Sequence, residues 1–187
     1  NDNWSFNGGK QVVGIGGYEY DRAPIDLYFC SEYWNNIPCY QLGVSVTYTT
    51  NKGNDSFLAQ FCESPFNFHN EDLYAYNLMV MNAHTLSSIN LLEYAPGKFA
   101  GYIALGDREV FGDVAVEWDL MYRNDLENLK NNSSMSAMVD VNWAINEKLN
   151  IFTHASWDFN DGSMAMVEPT VFPGTDIWRT GGGVEYF

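Results

Sequence analysis

No run of about 18 apolar residues occurs among the 187 residues, which excludes a membrane-spanning helix. Basic residues are few. Lys and Arg total 9 against 24 Asp and Glu, giving a net charge of −15, so the phosphates of a nucleic acid would be repelled and nucleic acid is excluded as a partner. Cysteine is limited to Cys30, Cys39 and Cys62, an odd set. In a hairpin of residues 24–34 and 39–49 Cys30 would face Gly43 and not Cys39, so lone thiols are expected. The glycines at 14, 16 and 17 do not complete a dinucleotide fingerprint, because Glu19 stands where its third glycine belongs. His69, His84 and His154 show no HExxH spacing, and the turn Asp158 to Gly162 lacks the carboxylate pattern of a calcium loop. No metal site or cofactor is expected.

Helical spacing is also missing; period-two alternation takes its place. From Val110 to Arg123, the residues Val110, Gly112, Val114, Val116, Trp118, Leu120 and Tyr122 share one side of an extended chain. Asp113, Glu117, Asp119 and Arg123 share the other. From Ser134 to Ile145 the design repeats, with Met135, Ala137, Val139, Val141, Trp143 and Ile145 set against Ser134, Ser136, Asp140 and Asn142.

Eleven strands are expected in a single domain spanning 1–187, separated by turn residues. They are Gln11 to Tyr20, Pro24 to Trp34, Cys39 to Thr49, Asp55 to Cys62, Asp72 to Asn82, Leu86 to Glu93, Lys98 to Gly106, the two runs above, Lys148 to Phe159, and Ile177 to Phe187. Long loops follow the fourth, eighth and tenth strands, at 63–71, 124–133 and 160–175. Short turns such as Ala83-His84, Asp107 to Glu109 and Asn146-Glu147 follow odd strands.

Strands of about 12 residues approach the 9 to 11 that a tilted strand needs to cross a bilayer. Outer-membrane barrels place short turns on one side and long loops on the other, and collect aromatic residues at the interfaces. The chain holds 12 Tyr, 12 Phe and 6 Trp. The expected fold is therefore an all-β antiparallel transmembrane β-barrel. A soluble two-layer sheet alternates in the same way and is the competing reading. On the barrel reading, Val114, Val116, Trp118, Val139, Val141, Trp143, Leu149, Ile151 and Trp157 meet lipid. The pore-lining residues are Asp26, Glu32, Asp113, Glu117, Asp119, Arg123, Asp140 and Asp158, joined by Lys98 and Lys148. The loop parity starts the first strand outside, Glu185 and Gly183 break the usual closing pattern before Phe187, and Asn1 follows no Met or signal-like segment. The chain is thus read as a piece of a longer barrel.

The segment YNLMVMNAHTLSSINLLEYAPGKFAGYIALGDREVFGDVAVEWDLMYRN from Tyr76, with PGTDIWRTGGGVEYF at the end, resembles outer-membrane porins of the phosphate-selective porin O and P type, especially their Bacteroidota relatives. The likeness covers roughly residues 54–187. It implies a sixteen-stranded barrel, usually a homotrimer, in the outer membrane of a Gram-negative bacterium, passing small solutes passively. The basic ladder of phosphate-selective members has no counterpart among the residues placed toward the lumen, which are mainly acidic. Rings of acidic side chains favour cations, so phosphate selectivity is not expected here.

The expected function is thus a porin, not an enzyme, with lipid, lipopolysaccharide, small solutes and ions as partners. Two alternatives stay open: a soluble all-β module for an apolar ligand, and an outer-membrane hydrolase using His154 with Ser156 and Asp158. Side chains at i and i+2 on a strand lie about 7 Å apart, too far for direct hydrogen bonding, so no catalytic residue is assigned.

Overall fold

The computed structural model describes residues 3–15, 40–50, 52–67, 72–127, 133–160 and 175–187. Within them the alternating segments form ten strands: β1 Trp4–Val12, β2 Tyr40–Thr49, β3 Asp55–Glu63, β4 Tyr74–Asn82, β5 Thr85–Ala95, β6 Lys98–Phe111, β7 Val114–Asp125, β8 Ser133–Asn146, β9 Leu149–Asn160 and β10 Thr175–Tyr186. They build one antiparallel sheet in which each strand lies beside its neighbours in sequence. Among the described residues there is no helix. The chain is all-β, and β1 and β10 are the two edges of the sheet.

Residues directly opposite one another on antiparallel neighbours share a face, so the pairing registers carry two faces across the whole sheet. On the face called inner here lie Gln60, Asn77, Asn90, Tyr102 and Arg123, all buried. The outer face carries Leu78, Ile89, Ile103, Trp118 and Val139, all exposed. Turns at 50–54, 83–84, 112–113 and 147–148 form one rim. The strand ends that lead into residues 13–39, 64–73, 96–97, 126–132 and 161–174 lie at the other, where Gly97 closes a tight turn between β5 and β6. Gly53, Gly97 and Gly112 bend the chain at φ of 69°, 74° and 62°, values that an L side chain resists.

Four expectations need correction. Trp4–Val12 is a strand that the alternation did not reveal, because Gly8, Gly9 and Lys10 dilute it. The strand expected over Gln11 to Tyr20 ends at Val12; residues 13–15 leave the sheet, and the remainder lies outside the described residues. The run Pro24 to Trp34 is also outside them, and the partners of β2 are not those of the expected hairpin. Both edges of β2 are taken, by β1 and β3, and Gly43 faces Gly9 and Cys62. Finally, the run Val110 to Arg123 is not one strand. Val110 and Phe111 end β6, Gly112 and Asp113 turn, and β7 begins at Val114. Val110 pairs with Ala115, which puts it on the face opposite to Val114. Asp107 to Glu109, expected as a turn, continue β6.

Close approach of β2 and β3 fixes one glycine. A Cβ on Gly43 would stand 2.6 Å from Cys62 Cα and nearer still to Cys62 Cβ and the Phe61 carbonyl. Gly43→Ala is expected to lower stability by about 1 to 3 kcal/mol through overpacking. Gly8→Ala, whose new methyl would meet only Val44 Cγ1 at 3.9 Å, is expected to stay within about 0.5 kcal/mol. Urea unfolding midpoints of the two variants check the contrast.

Candidate functional site

The inner face holds a continuous polar row. Ser45, Gln60, Asn77, Asn90, Tyr102, Arg123 and Ser134 stand directly opposite one another from β2 to β8, and each is buried. Alternation explains how seven strands can each present one polar side chain to the same side. Burial then demands hydrogen bonds. Asn77 Nδ2 donates to Gln60 Oε1 at 2.8 Å, Asn90 Nδ2 donates to Asn77 Oδ1 at 3.0 Å, and Ser88 Oγ donates to Asn90 Oδ1 at 2.9 Å.

Residues 12–15 cross this amide cluster. Gln60 Nε2 donates to the Val12 carbonyl at 2.7 Å, the Gly14 amide donates to Gln60 Oε1 at 2.8 Å, and Asn90 Nδ2 donates to the Gly14 carbonyl at 2.6 Å. Ile15 N–H reaches the Val13 carbonyl at 2.9 Å, which bends the chain tightly about Gly14. Val13 and Ile15 pack with Cys62, Ala75, Leu92, Ala100 and Tyr102 in one apolar cluster.

Toward β6–β10 the inner face becomes charged. Arg108, Glu117, Asp140 and His154 form a second row of directly opposed residues. Arg108 Nε lies 3.2 Å from Glu117 Oε1, and His154 Nδ1 lies 2.7 Å from Asp140 Oδ1. Glu117 and Asp140 are like charges side by side, and each is met by a nitrogen partner on its far side. Nearby, Ser136 Oγ donates to Asp158 Oδ1 at 2.6 Å, and Arg179 reaches Asp158 Oδ2. Tyr94 OH donates to Asp125 Oδ1 at 3.0 Å.

Of the residues expected to line a pore, Glu117, Asp119, Arg123, Asp140 and Asp158 share this inner face. Asp113 does not: it occupies an exposed turn, because the chain reverses at Gly112. Asp26 and Glu32 lie outside the described residues. Lys148 is likewise in a turn, and Lys98 is exposed at the first position of β6. Sequence reasoning missed Arg108, which it gave to a turn, and Arg179, although the order Ile177, Arg179, Gly181 puts it at an inner position. It also passed over Gln60, Asn77 and Asn90, whose only signal was a single amide at an inward position of each of three successive strands. Among the described residues, no group of three or more His, Cys, Asp or Glu side chains gathers where a metal ion could sit.

The outer face has its own order. Near the rim of longer connections stand Tyr40, Phe61, Tyr74, Tyr76, Trp157 and Trp178; near the tight-turn rim stand Trp4, Tyr48, Phe57, Phe111, Trp143 and Tyr186. Neighbouring rings touch in both groups. The centroids of Trp4 and Tyr48 are 4.8 Å apart, those of Phe61 and Tyr74 5.2 Å, and those of Trp157 and Trp178 5.9 Å. Between the two belts the outward side chains are mostly aliphatic, including Leu78, Ile89, Leu91, Ile103, Leu105 and Val139, all exposed, with Trp118, Thr153 and Thr180 among them. Charged groups on this face keep toward the rims. Glu93 accepts from the Gly97 and Tyr74 amides, Asp176 accepts from the indoles of Trp157 and Trp178, and Lys10 lies over the Tyr40 ring at 5.6 Å.

No protein-family model, curated protein or solved structure matches this chain.

The pair Asp158–Arg179 is asymmetric, with the carboxylate 2% and the guanidinium 28% exposed. Arg179→Met strands a buried charge and is expected to cost about 3 to 5 kcal/mol. Asp158→Asn keeps an acceptor for Ser136 and leaves an arginine with access to solvent, so about 1 to 3 kcal/mol is expected. Denaturation of both variants would reverse the assignment of the buried partner if Asp158→Asn proved the more costly.

Proposed function

We propose that the chain forms wall of a transmembrane β-barrel in a bacterial outer membrane, a porin passing small hydrophilic solutes and ions by diffusion. The observation that carries this reading is the inverted polarity of the sheet. Its buried face holds amides and charges, and its exposed face holds an aliphatic band between two aromatic belts. A sheet that packs its apolar face into a protein core would have the opposite arrangement. In a bilayer the aliphatic band meets acyl chains, and the aromatic belts sit at the two interfaces.

Lipid offers no partner to an open strand edge, so on this reading the edges of β1 and β10 join each other or further strands. The tight-turn rim then faces the periplasm and the other rim faces outward. The resemblance to phosphate-selective porins, read from the strand phrases, adds a homotrimer set in lipid and lipopolysaccharide. It does not add their anion preference. Glu117, Asp119, Asp125, Asp140, Asp158 and Glu185 outnumber Arg108, Arg123 and Arg179 at inner positions. Fixed negative charge raises the local concentration of cations and lowers that of anions. The residues placed here act by solvating a passing ion and by biasing its sign; no chemical step is assigned to them.

Purified protein reconstituted in a planar bilayer tests the reading. Stable conductance steps with a cation-preferring reversal potential in a salt gradient are expected. A protein that stays in solution without detergent and gives no steps would overturn the membrane assignment, and anion preference would overturn the role of the acidic face. Ile103→Arg, placing a charge in the aliphatic band, is expected to disfavour insertion by about 2 to 4 kcal/mol if that band faces the bilayer midplane. Folding titrations into lipid vesicles measure this directly, and a harmless arginine at that position would rule out lipid contact.

A further inference from the structure

We infer that Gln60, Asn77 and Asn90 are positioning residues that hold residues 12–15 across the inner face and thereby set the width of the passage. The inference rests on the channel reading above, but its structural half stands on contacts independent of that reading. Two side chains, Gln60 on β3 and Asn90 on β5, bond the backbone on either side of Gly14, and Asn77 on β4 stands between them. The N–H and C=O of Gly14 are both taken, by Gln60 and Asn90, and the preceding Val12 carbonyl is taken by Gln60. Asn77 acts on the segment through the other two amides: it bridges them and fixes their orientation, donating to Gln60 and accepting from Asn90. An amide side chain offers a donor and an acceptor together. This makes the cluster complementary to backbone, where carboxylates, which only accept, would satisfy the N–H groups and leave the carbonyls without a donor.

Steric fit points the same way. Gly14 is buried, and a Cβ there would stand 2.7 Å from Leu58 Cδ2 and 3.5 Å from Asn77 Cβ. The segment therefore lies against the wall of the sheet, held by Val13 and Ile15 in the apolar cluster as well as by the amides. A chain crossing the inner face over β3–β5 takes up cross-section there and leaves the charged rows of β6–β9 as the side along which ions pass. The acidic surplus is then concentrated on the open side, where it acts on ion preference at short range.

The test pairs two measurements on Gln60→Leu and Asn90→Leu, replacements near in size that carry no donor or acceptor. In detergent micelles, amide exchange of residues 13–15 is expected to become about tenfold or more faster once a buried bond is unmade. In planar bilayers, single-channel conductance is expected to rise and cation preference to weaken. Gln60→Glu, which keeps the acceptor for Gly14 but loses the donor to Val12, is expected to fall between wild type and Gln60→Leu. Should a leucine variant fail to fold, Gly14→Val leaves all three amides in place, displaces the segment by bulk, and should give the same wider conductance. Faster exchange with unchanged conductance would overturn the inference while leaving the channel reading intact. Exchange as slow as wild type in both leucine variants would overturn it as well. A wild-type protein that gives no steps would instead overturn the channel reading, and the statement about width with it.

Discussion

Everything in this fold depends on where the backbone amides find partners. Each strand pairs with its sequence neighbours, and opposite residues share a face, so a single choice of register propagates through ten strands without correction. Shifting one strand by one position would turn its amides and charges outward and its Leu, Ile and Val inward. The registers keep Gln60, Asn77 and Asn90 in line across β3, β4 and β5, and this line allows buried amides to satisfy one another.

The inner face divides by chemistry. Over β3–β5 its polar groups are neutral, and the amides Gln60 and Asn90 bind backbone. Over β6–β10 charged groups dominate, arranged so that acids meet nitrogen partners: Glu117 with Arg108, Asp140 with His154, Asp158 with Arg179. Neutral amides hold a peptide segment without repelling or trapping ions. Paired charges keep a low-dielectric surface stable only while both partners remain. The outer face is simpler, with mostly apolar bulk in the middle and amphipathic rings at the edges, as the proposed lipid contact would require.

Much of this was legible in the sequence. For β2, β8 and β9 the alternation gave the correct face for every residue it assigned, since Leu42 to Tyr48 carry an unbroken period of two and only Met138 in β8 and Phe152 and Thr153 in β9 interrupt it. The failures have physical causes. At Val110 to Tyr122 an apolar residue continued the alternation through a turn, and the decisive feature was the backbone of Gly112 at positive φ, which the pattern of side chains does not encode. Near the start, Gly8, Gly9 and Lys10 hid β1, and its pairing with β2 is a contact across an intervening connection of 27 residues, 13–39. The inner amides were invisible because Gln60, Asn77 and Asn90 gain their meaning only when three registers set them side by side.

The nearest-neighbour order of the strands bears on how such a chain can change. A hairpin such as β5 and β6, closed by Pro96 and Gly97, enters and leaves the sheet on the same rim and has the same two faces as every other hairpin. Removing or duplicating one strand pair would preserve the direction, rim and facing of all the others. The hairpin is therefore a natural module of length variation in this architecture, and the width of the sheet can be altered in steps of two strands without redesigning any one of them.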